Sequence, residues 1–189
     1  MNDDNDDRKS NRAVALHLTR KLLAAVCGLF GLAACAGNAY PPLATVADVD
    51  LGRYLGRWHE IARYPHRFEE GCSGVTADYA LNPDGTIAVI NSCRLDGEGG
   101  RVKQAKGKAK VVDATTNAKL KVSFFWPFYG DYWILKLDPD YRWVIVGEPS
   151  RNYVWILART PQLDDATLKG LVEDIRGFGY DPGRLLFPR

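Results

Sequence analysis

Residues 75–91 read VTADYALNPDGTIAVIN, and the fold is decided by how they alternate. Val75, Ala77 and Tyr79 alternate with Thr76 and Asp78; past Asn82-Pro83-Asp84-Gly85, Ile87, Val89 and Asn91 alternate with Ala88 and Ile90. A period of two sends successive side chains to opposite faces of an extended chain. Asn, Pro, Asp and Gly are the residues that turns favour. The stretch therefore predicts an antiparallel hairpin with one face turned toward a core.

The same period recurs on both sides. In RVKQAKGKAKVVD (101–113), Gln104, Lys106, Lys108 and Lys110 fall on one face, with Ala105, Gly107, Ala109 and Val111 on the other. In AKLKVSFFW (118–126), Leu120, Val122, Phe124 and Trp126 alternate with Lys119, Lys121, Ser123 and Phe125. RWHEIARY (57–64), YWILKL (132–137), RWVIVG (142–147) and YVWILAR (153–159) are further strand-like runs, rich in aromatic and β-branched residues. Eight such runs at short spacing predict an all-β domain, a closed barrel or a sandwich. After them, Leu168, Leu171, Val172 and Ile175 lie at helical spacing, with Asp164 placed to cap the helix and Gly177 and Gly179 to end it.

A barrel of eight strands is just wide enough to be filled by side chains or to hold one small ligand. Ala105, Gly107 and Ala109 on the inner face leave room, and Tyr79, Phe124 and Trp126 would give that room an apolar wall. The same small residues also suit a filled core, in which they pack against large ones opposite. Periodicity leaves both open.

The N-terminus reads differently. Arg8, Lys9, Arg12, Arg20 and Lys21 precede LLAAVCGLFGLAA (22–34), which carries no charge. As a helix that run would be about 20 Å long, short of a ~30 Å hydrocarbon core. Basic region, short apolar run and small residues at its end make a secretory signal peptide, residues 1–34. Leu32-Ala33-Ala34-Cys35 resembles the bacterial lipobox, which implies cleavage before Cys35 and its acylation; Ala36, where inner-membrane lipoproteins carry Asp, implies sorting to the outer membrane. Two or three acyl chains anchor far more firmly than one. Residues 35–49, small and Pro-containing, read as a structureless lipidated tether, and 50–189 as the domain. Without residues 1–34 the chain has 20 cations and 19 acids, a balance that gives no basic surface for nucleic acid.

Cys72 and Cys93 flank the 75–91 hairpin nearly symmetrically. Pairing Tyr79 with Ile87 would set Ser73, not Cys72, opposite Cys93, so a bulge or a frayed end has to absorb one residue. A disulfide is the reading that an oxidising compartment favours, worth roughly 3 kcal/mol in the chain-entropy model. A zinc site or two free thiols are the alternatives, and no further metal ligands stand nearby at useful spacing.

Gly56-Arg57-Trp58 resembles the Gly-x-Trp element that opens the first strand of the lipocalins. Asp140-Tyr141 resembles their Thr-Asp-Tyr turn, with Pro139 in place of the Thr, and Arg159 matches the Arg that packs on the first-strand Trp. LGRWHEIARYPHRFEEG (55–71), VSFFWPFYGDYW (122–133) and YVWILARTP (153–161) are similar to the bacterial outer-membrane lipocalins, a subgroup related to apolipoprotein D and the plant temperature-induced lipocalins. The resemblance spans residues 48–188. It implies an eight-stranded antiparallel up-and-down barrel with a C-terminal α-helix packed outside. It also implies an outer-membrane lipoprotein on the periplasmic face that binds, stores or transports lysophospholipids or long-chain fatty acids for membrane maintenance. Val75, Ala77, Tyr79, Val89, Ala105, Gly107, Ala109, Val122, Phe124 and Trp126 are the expected ligand lining, and the 124–130 segment the expected rim. A pigment, haem or retinoid-type carrier and a structural envelope protein with a filled barrel are the alternatives; a homodimer is compatible with each.

Catalytic signals are weak. His59-Glu60 begins like a metalloprotease motif, but position 63 is Arg and the run is strand-like. No Ser or Cys stands in a nucleophile motif with a His, and Gly97-Glu98-Gly99-Gly100 has no helix after it to cradle phosphate. The expectation is a binding protein with no catalytic residues, metal or cofactor. Lys106, Lys108, Lys110, Lys119 and Lys121 form one outer row, either a solvated face or a contact for anionic headgroups.

Overall fold

Each alternating run forms a strand. The computed structural model describes residues 40–97 and 99–188; the expected leader and Cys35 lie outside the described residues. The strands are β1 (Gly56–Arg63), β2 (Cys72–Leu81), β3 (Ile87–Leu95), β4 (Val102–Val111), β5 (Lys119–Phe125), β6 (Phe128–Leu137), β7 (Trp143–Gly147) and β8 (Val154–Ala158). They pair antiparallel in chain order, and β8 returns to β1 to close the barrel. A short helix α1 (Leu51–Tyr54) precedes β1 and α2 (Asp165–Gly177) follows β8. Asp164 caps α2 by accepting from the Thr167 amide at 2.8 Å. At its other end Gly179, with φ of 85°, follows the last turn.

Two apolar layers result. Trp58, Ala77, Tyr79, Ile87, Val89, Ala109, Leu120, Ile134, Val144, Val146 and Leu157 meet inside the barrel. Ile61, Leu135, Ile145, Val154 and Ile156 meet Leu171 and Ile175 of α2 on the outside. This double cover explains why β7, Trp-Val-Ile-Val-Gly, is apolar on both faces while β4 alternates with lysine.

The β2–β3 register differs from a Tyr79–Ile87 pairing. Tyr79 stands opposite Val89 and Leu81 opposite Ile87, so the connection takes in Asn82–Thr86 and is closed by the Asn82 amide on the Thr86 carbonyl at 2.8 Å. A bulge between Ser73 and Thr76 then restores reach: Cys72, opposite Leu95, bonds diagonally to Cys93 with Cα atoms 5.4 Å apart. Residues 41–49 carry no helix or strand, but they are packed on the barrel. Leu43 and Val49 are buried, and the amides of Val46 and Val49 donate to the carbonyls of Ile134 (3.0 Å) and Thr116 (2.8 Å). The packed body therefore begins at about Pro41 rather than at 50, because these backbone groups find partners on the barrel.

One end of the barrel is sealed. Trp58 is fully buried and its Nε1 donates to the Tyr54 carbonyl at 2.8 Å. The Arg159 guanidinium lies 3.8 Å from the Trp58 ring centroid. It donates to the carbonyls of Arg53 (2.7 Å), Arg57 (2.8 Å), Tyr54 (3.1 Å) and Tyr141 (3.3 Å). Gly56 makes the turn from α1 into β1 at φ of 90°, a conformation that side chains resist. In the β6–β7 turn it is Asp138, not Asp140, that is buried and holds the loop: its carboxylate accepts from the Asp140 and Arg142 amides, both at 3.1 Å, and from the Arg142 side chain at 2.8 Å. Tyr141, at φ of 60°, accepts the Asp50 amide on its hydroxyl at 2.8 Å.

Replacing Arg159 with Ala strips hydrogen bonds from several carbonyls and the cover from Trp58, an expected loss of about 2–4 kcal/mol. Arg159→Lys should recover less than half of it, since an ammonium cannot fork across the same carbonyls. Urea denaturation monitored by Trp fluorescence measures both.

Candidate ligand-binding site

The barrel interior runs from the sealed end to the opposite mouth, and its floor is aromatic. Tyr54, Tyr79 and Tyr132 share a chain of hydroxyls, 2.7 Å between Tyr54 and Tyr132 and 3.0 Å between Tyr79 and Tyr132. Burial raises all three phenols, Tyr79 to about 12, so they stay neutral and keep their protons for hydrogen bonds.

Above this floor the β3–β4 wall opens by steps. Ile87 and Ala109 face each other, both buried; next come Val89, buried, and Gly107, half-buried; then Asn91, half-buried, and Ala105, exposed. Ala105 continues the inward row, since its partner Asn91 pairs in turn with Ala77 of the inner cluster. Solvent therefore reaches the inner surface at the mouth and not at the floor.

The expected lining divides accordingly. Ala77, Tyr79, Val89 and Ala109 belong to the inner cluster, Val122 and Phe124 pack against it, and Val75 is buried. Gly107 provides no free space. A Cβ there would stand 2.8 Å from the Phe124 ring and 2.8 Å from the Ser123 carbonyl, so the ring fills the place of the missing side chain. Trp126 does not line the interior. Strand β5 ends at Phe125, its pairing with β6 is shifted between Val122 and Phe125, and Trp126 lies in the turn, 84% exposed. With Phe125 and Phe128, each 76% exposed, it forms an apolar rim at the mouth.

At the mouth Glu60 faces inward by alternation from Trp58, and a bulge between Glu60 and Ala62 turns Arg63 inward as well, the two standing opposite Leu157 and Trp155. They meet His66 and Glu69 of the β1–β2 connection. Arg63 Nε is 3.1 Å from Glu60 Oε1 and 2.8 Å from Glu69 Oε2. These three atoms form ion pairs with one another, while neither ring nitrogen of His66 has a hydrogen-bond partner. The imidazole packs among rings, with centroids 5.6 Å from Phe68, 5.6 Å from Trp155 and 6.0 Å from Tyr153. Burial, reinforced by the Glu69 charge, pushes Glu60 up to about 9, and burial lowers His66. Near neutral pH the group thus holds a protonated Glu60, a cationic Arg63 and a neutral His66.

Glu60 was readable in advance, because the alternation that buries Trp58 puts an acid two residues on along the same face. Arg63 was not, since the bulge reverses its parity. Tyr54 and Tyr132 gave no periodic signal of their own. The outer lysine row is present but largely occupied: Lys108 and Lys121 pair with Asp84 (2.9 Å) and Asp131 (3.1 Å), and Lys110 and Lys119 lie over the rings of Tyr129 and Trp133, both at 4.6 Å.

The chain matches the lipocalin-like domain family over residues 49–189. It is 42% identical over 167 residues to the outer membrane lipoprotein Blc of Escherichia coli K12, covering 88% of this chain and 94% of that one. It is 44% identical over 149 residues to temperature-induced lipocalin-1 of Arabidopsis thaliana, covering 74% and 78%. Among solved structures, insecticyanin from the tobacco hornworm Manduca sexta superposes with a TM-score of 0.64 at 22% identity, over 79% of this chain and 85% of that one.

The raised Glu60 fixes the sign of a pH effect. Its contribution to stability is complete below the ordinary value of 4.5 and is lost as pH rises through about 9. Thermal melts of the wild type should therefore fall between those limits relative to Glu60→Gln, which cannot ionise; parallel curves would show that Glu60 is not buried as described. Gly107→Ala, driven into Phe124, should cost roughly 1–3 kcal/mol, read in the same melts.

Proposed function

The chain belongs to the lipocalin family, and from that we propose that it binds, stores or carries single-chain lipids, lysophospholipids or long-chain fatty acids, in maintenance of the membrane. Its location is the outer membrane, as for the bacterial relatives, and its barrel is a site for a small hydrophobic molecule. The observation that carries the lipid reading is the stepwise opening from a closed aromatic floor to an accessible Ala105. A chain of methylenes suits such a cup: each buried CH₂ contributes ~0.8 kcal/mol, and about a dozen leave micromolar affinity after the cost of association.

The rim supports the same reading. Phe125, Trp126 and Phe128 are exposed beside the mouth, and exposed apolar groups so clustered suit contact with lipid. Acylation of Cys35 would tether the chain to the bilayer, on the periplasmic face. The barrel acts here as a container, with no bond made or broken.

Protein purified from membranes, examined by native mass spectrometry with extraction of the bound material, should carry a lysophospholipid or fatty acid and an acylated Cys35. An empty barrel that also refuses added acyl chains would defeat the reading. Ala105→Trp, placed where the inner wall is exposed, should weaken palmitate binding by at least about tenfold while leaving the melting temperature within a few degrees.

A further inference from the structure

The geometry points to the open end of the barrel as a membrane-docking face. The molecule stands mouth-down, with a ring of apolar side chains around the opening set into the interfacial zone of a phospholipid bilayer. The partner here is the bilayer itself, not a lipid held inside the barrel. From the reading above, this rests only on the acylation of Cys35.

Exposed apolar side chains are concentrated at that end. The hairpin joining β5 to β6 carries Phe125, Trp126 and Phe128, and the β1–β2 connection carries Phe68, 67% exposed. Val102 opens β4 and Tyr153 stands just before β8. Leu186, beside the last residue of β1, and Phe187 after it are exposed as well. Among the large hydrophobic residues exposed within 41–188, only Leu81 and Val112 lie elsewhere, at the sealed end. Scattered apolar residues need no explanation, but a ring of them at one end marks a contact surface.

The barrel holds this ring in place. Phe125 and Phe128 pair across the turn Trp126-Pro127. The Phe68 carbonyl accepts from the Lys103 ammonium at 3.1 Å, and Leu186 exchanges backbone bonds with Arg63 at 3.0 and 2.8 Å. With the backbone already fixed, docking costs little further chain entropy.

The N-terminal segment joins the body at the same end. Arg151, in the β7–β8 turn, donates to the Pro41 carbonyl at 2.7 Å. From there the packed segment runs to the sealed end, where the Asp50 amide meets the Tyr141 hydroxyl. From Cys35 to Pro41 the chain can span about 20 Å at most. The ten residues of β2 put the sealed end up to about 30 Å from the mouth. An acyl anchor on Cys35 therefore reaches a bilayer under the mouth and is too short for one under the sealed end.

The same placement favours a bilayer over a second copy of the chain. Trp and Tyr are enriched at membrane interfaces, and a protein seated on the mouth would compete for the space through which the anchor must pass. Charge does not select the partner: Arg67, Arg94 and Arg101 are exposed at this end together with Glu70 and Asp96. Docking through apolar side chains should thus resist salt, whereas the outer lysine row would lose its hold on anionic headgroups.

Tryptophan quenching tests the seating, with mature acylated protein in phosphatidylethanolamine–phosphatidylglycerol vesicles whose acyl chains are brominated near the headgroup. The emission that Trp126→Phe removes belongs to Trp126, and it should be quenched several times more strongly than the emission added by Leu81→Trp or Lys106→Trp in the Trp126→Phe background. The order should persist in about 1 M salt. Phe125→Ser combined with Phe128→Ser, both at exposed positions, should lower Trp126 quenching about threefold or more with the melting temperature within a few degrees. Stronger quenching of Lys106→Trp than of Trp126 would overturn the seating in favour of the lysine face. An unquenched Trp126 would overturn it outright, and cross-linking into dimers through the mouth would then name a second copy as the cover. A mass without acyl chains on Cys35 would remove the anchor and the seating together. Palmitate binding by the same protein is a separate readout: its failure would defeat the lipid-carrier reading while leaving the seating in place.

Discussion

Everything in this molecule depends on closing one end of a barrel that has no edges. Pairing β8 with β1 leaves no strand at an edge and so removes the exposed edge that an open sheet would have to protect. A closed sheet is still a tube. The Arg159 guanidinium, spread over Trp58 and bonded to carbonyls of α1, β1 and the β6–β7 turn, turns the tube into a cup. Because a single planar cation ties together segments from opposite ends of the chain, the floor of the cup is a consequence of tertiary closure.

The cup is neither filled nor uniformly hollow. Near the floor, large and small residues interlock, most plainly where the Phe124 ring occupies the place of a side chain at Gly107. Such packing at native density supplies stability. Toward the mouth the same inward row ends in Ala105 and Asn91, and nothing covers them fully. Stability and capacity are therefore separated along the barrel axis, and a ligand can enter without the floor being unpacked.

Polar groups follow the same division. At the floor the tyrosine hydroxyls satisfy one another. At the mouth Arg63 is ion-paired with both Glu60 and Glu69, while the ring nitrogens of the enclosed His66 have no hydrogen-bond partner, an arrangement that costs stability. Natural folds tolerate such groups chiefly where function requires them.

The sequence by itself determined the strands, the helix and their order, because side-chain alternation and helical spacing are local properties of the chain and the Gly56-Trp58 and Arg159 signals stand at strand ends. It also determined that most of Val75 to Phe124 in the expected lining would face inward. What only the tertiary structure decided were the departures from strict alternation. The bulge at Ile61 brought Arg63 to the side of Glu60, the bulge after Ser73 set the Cys72–Cys93 bridge on a diagonal, and the shift near Phe125 put Trp126 on the rim instead of in the wall. A bulge changes the parity of every later residue in its strand, and its position is set by the pairing of distant segments, which no local pattern records. The packing of residues 41–49 is of the same kind: an irregular segment whose partners, Ile134 and Thr116, exist only once the barrel has closed.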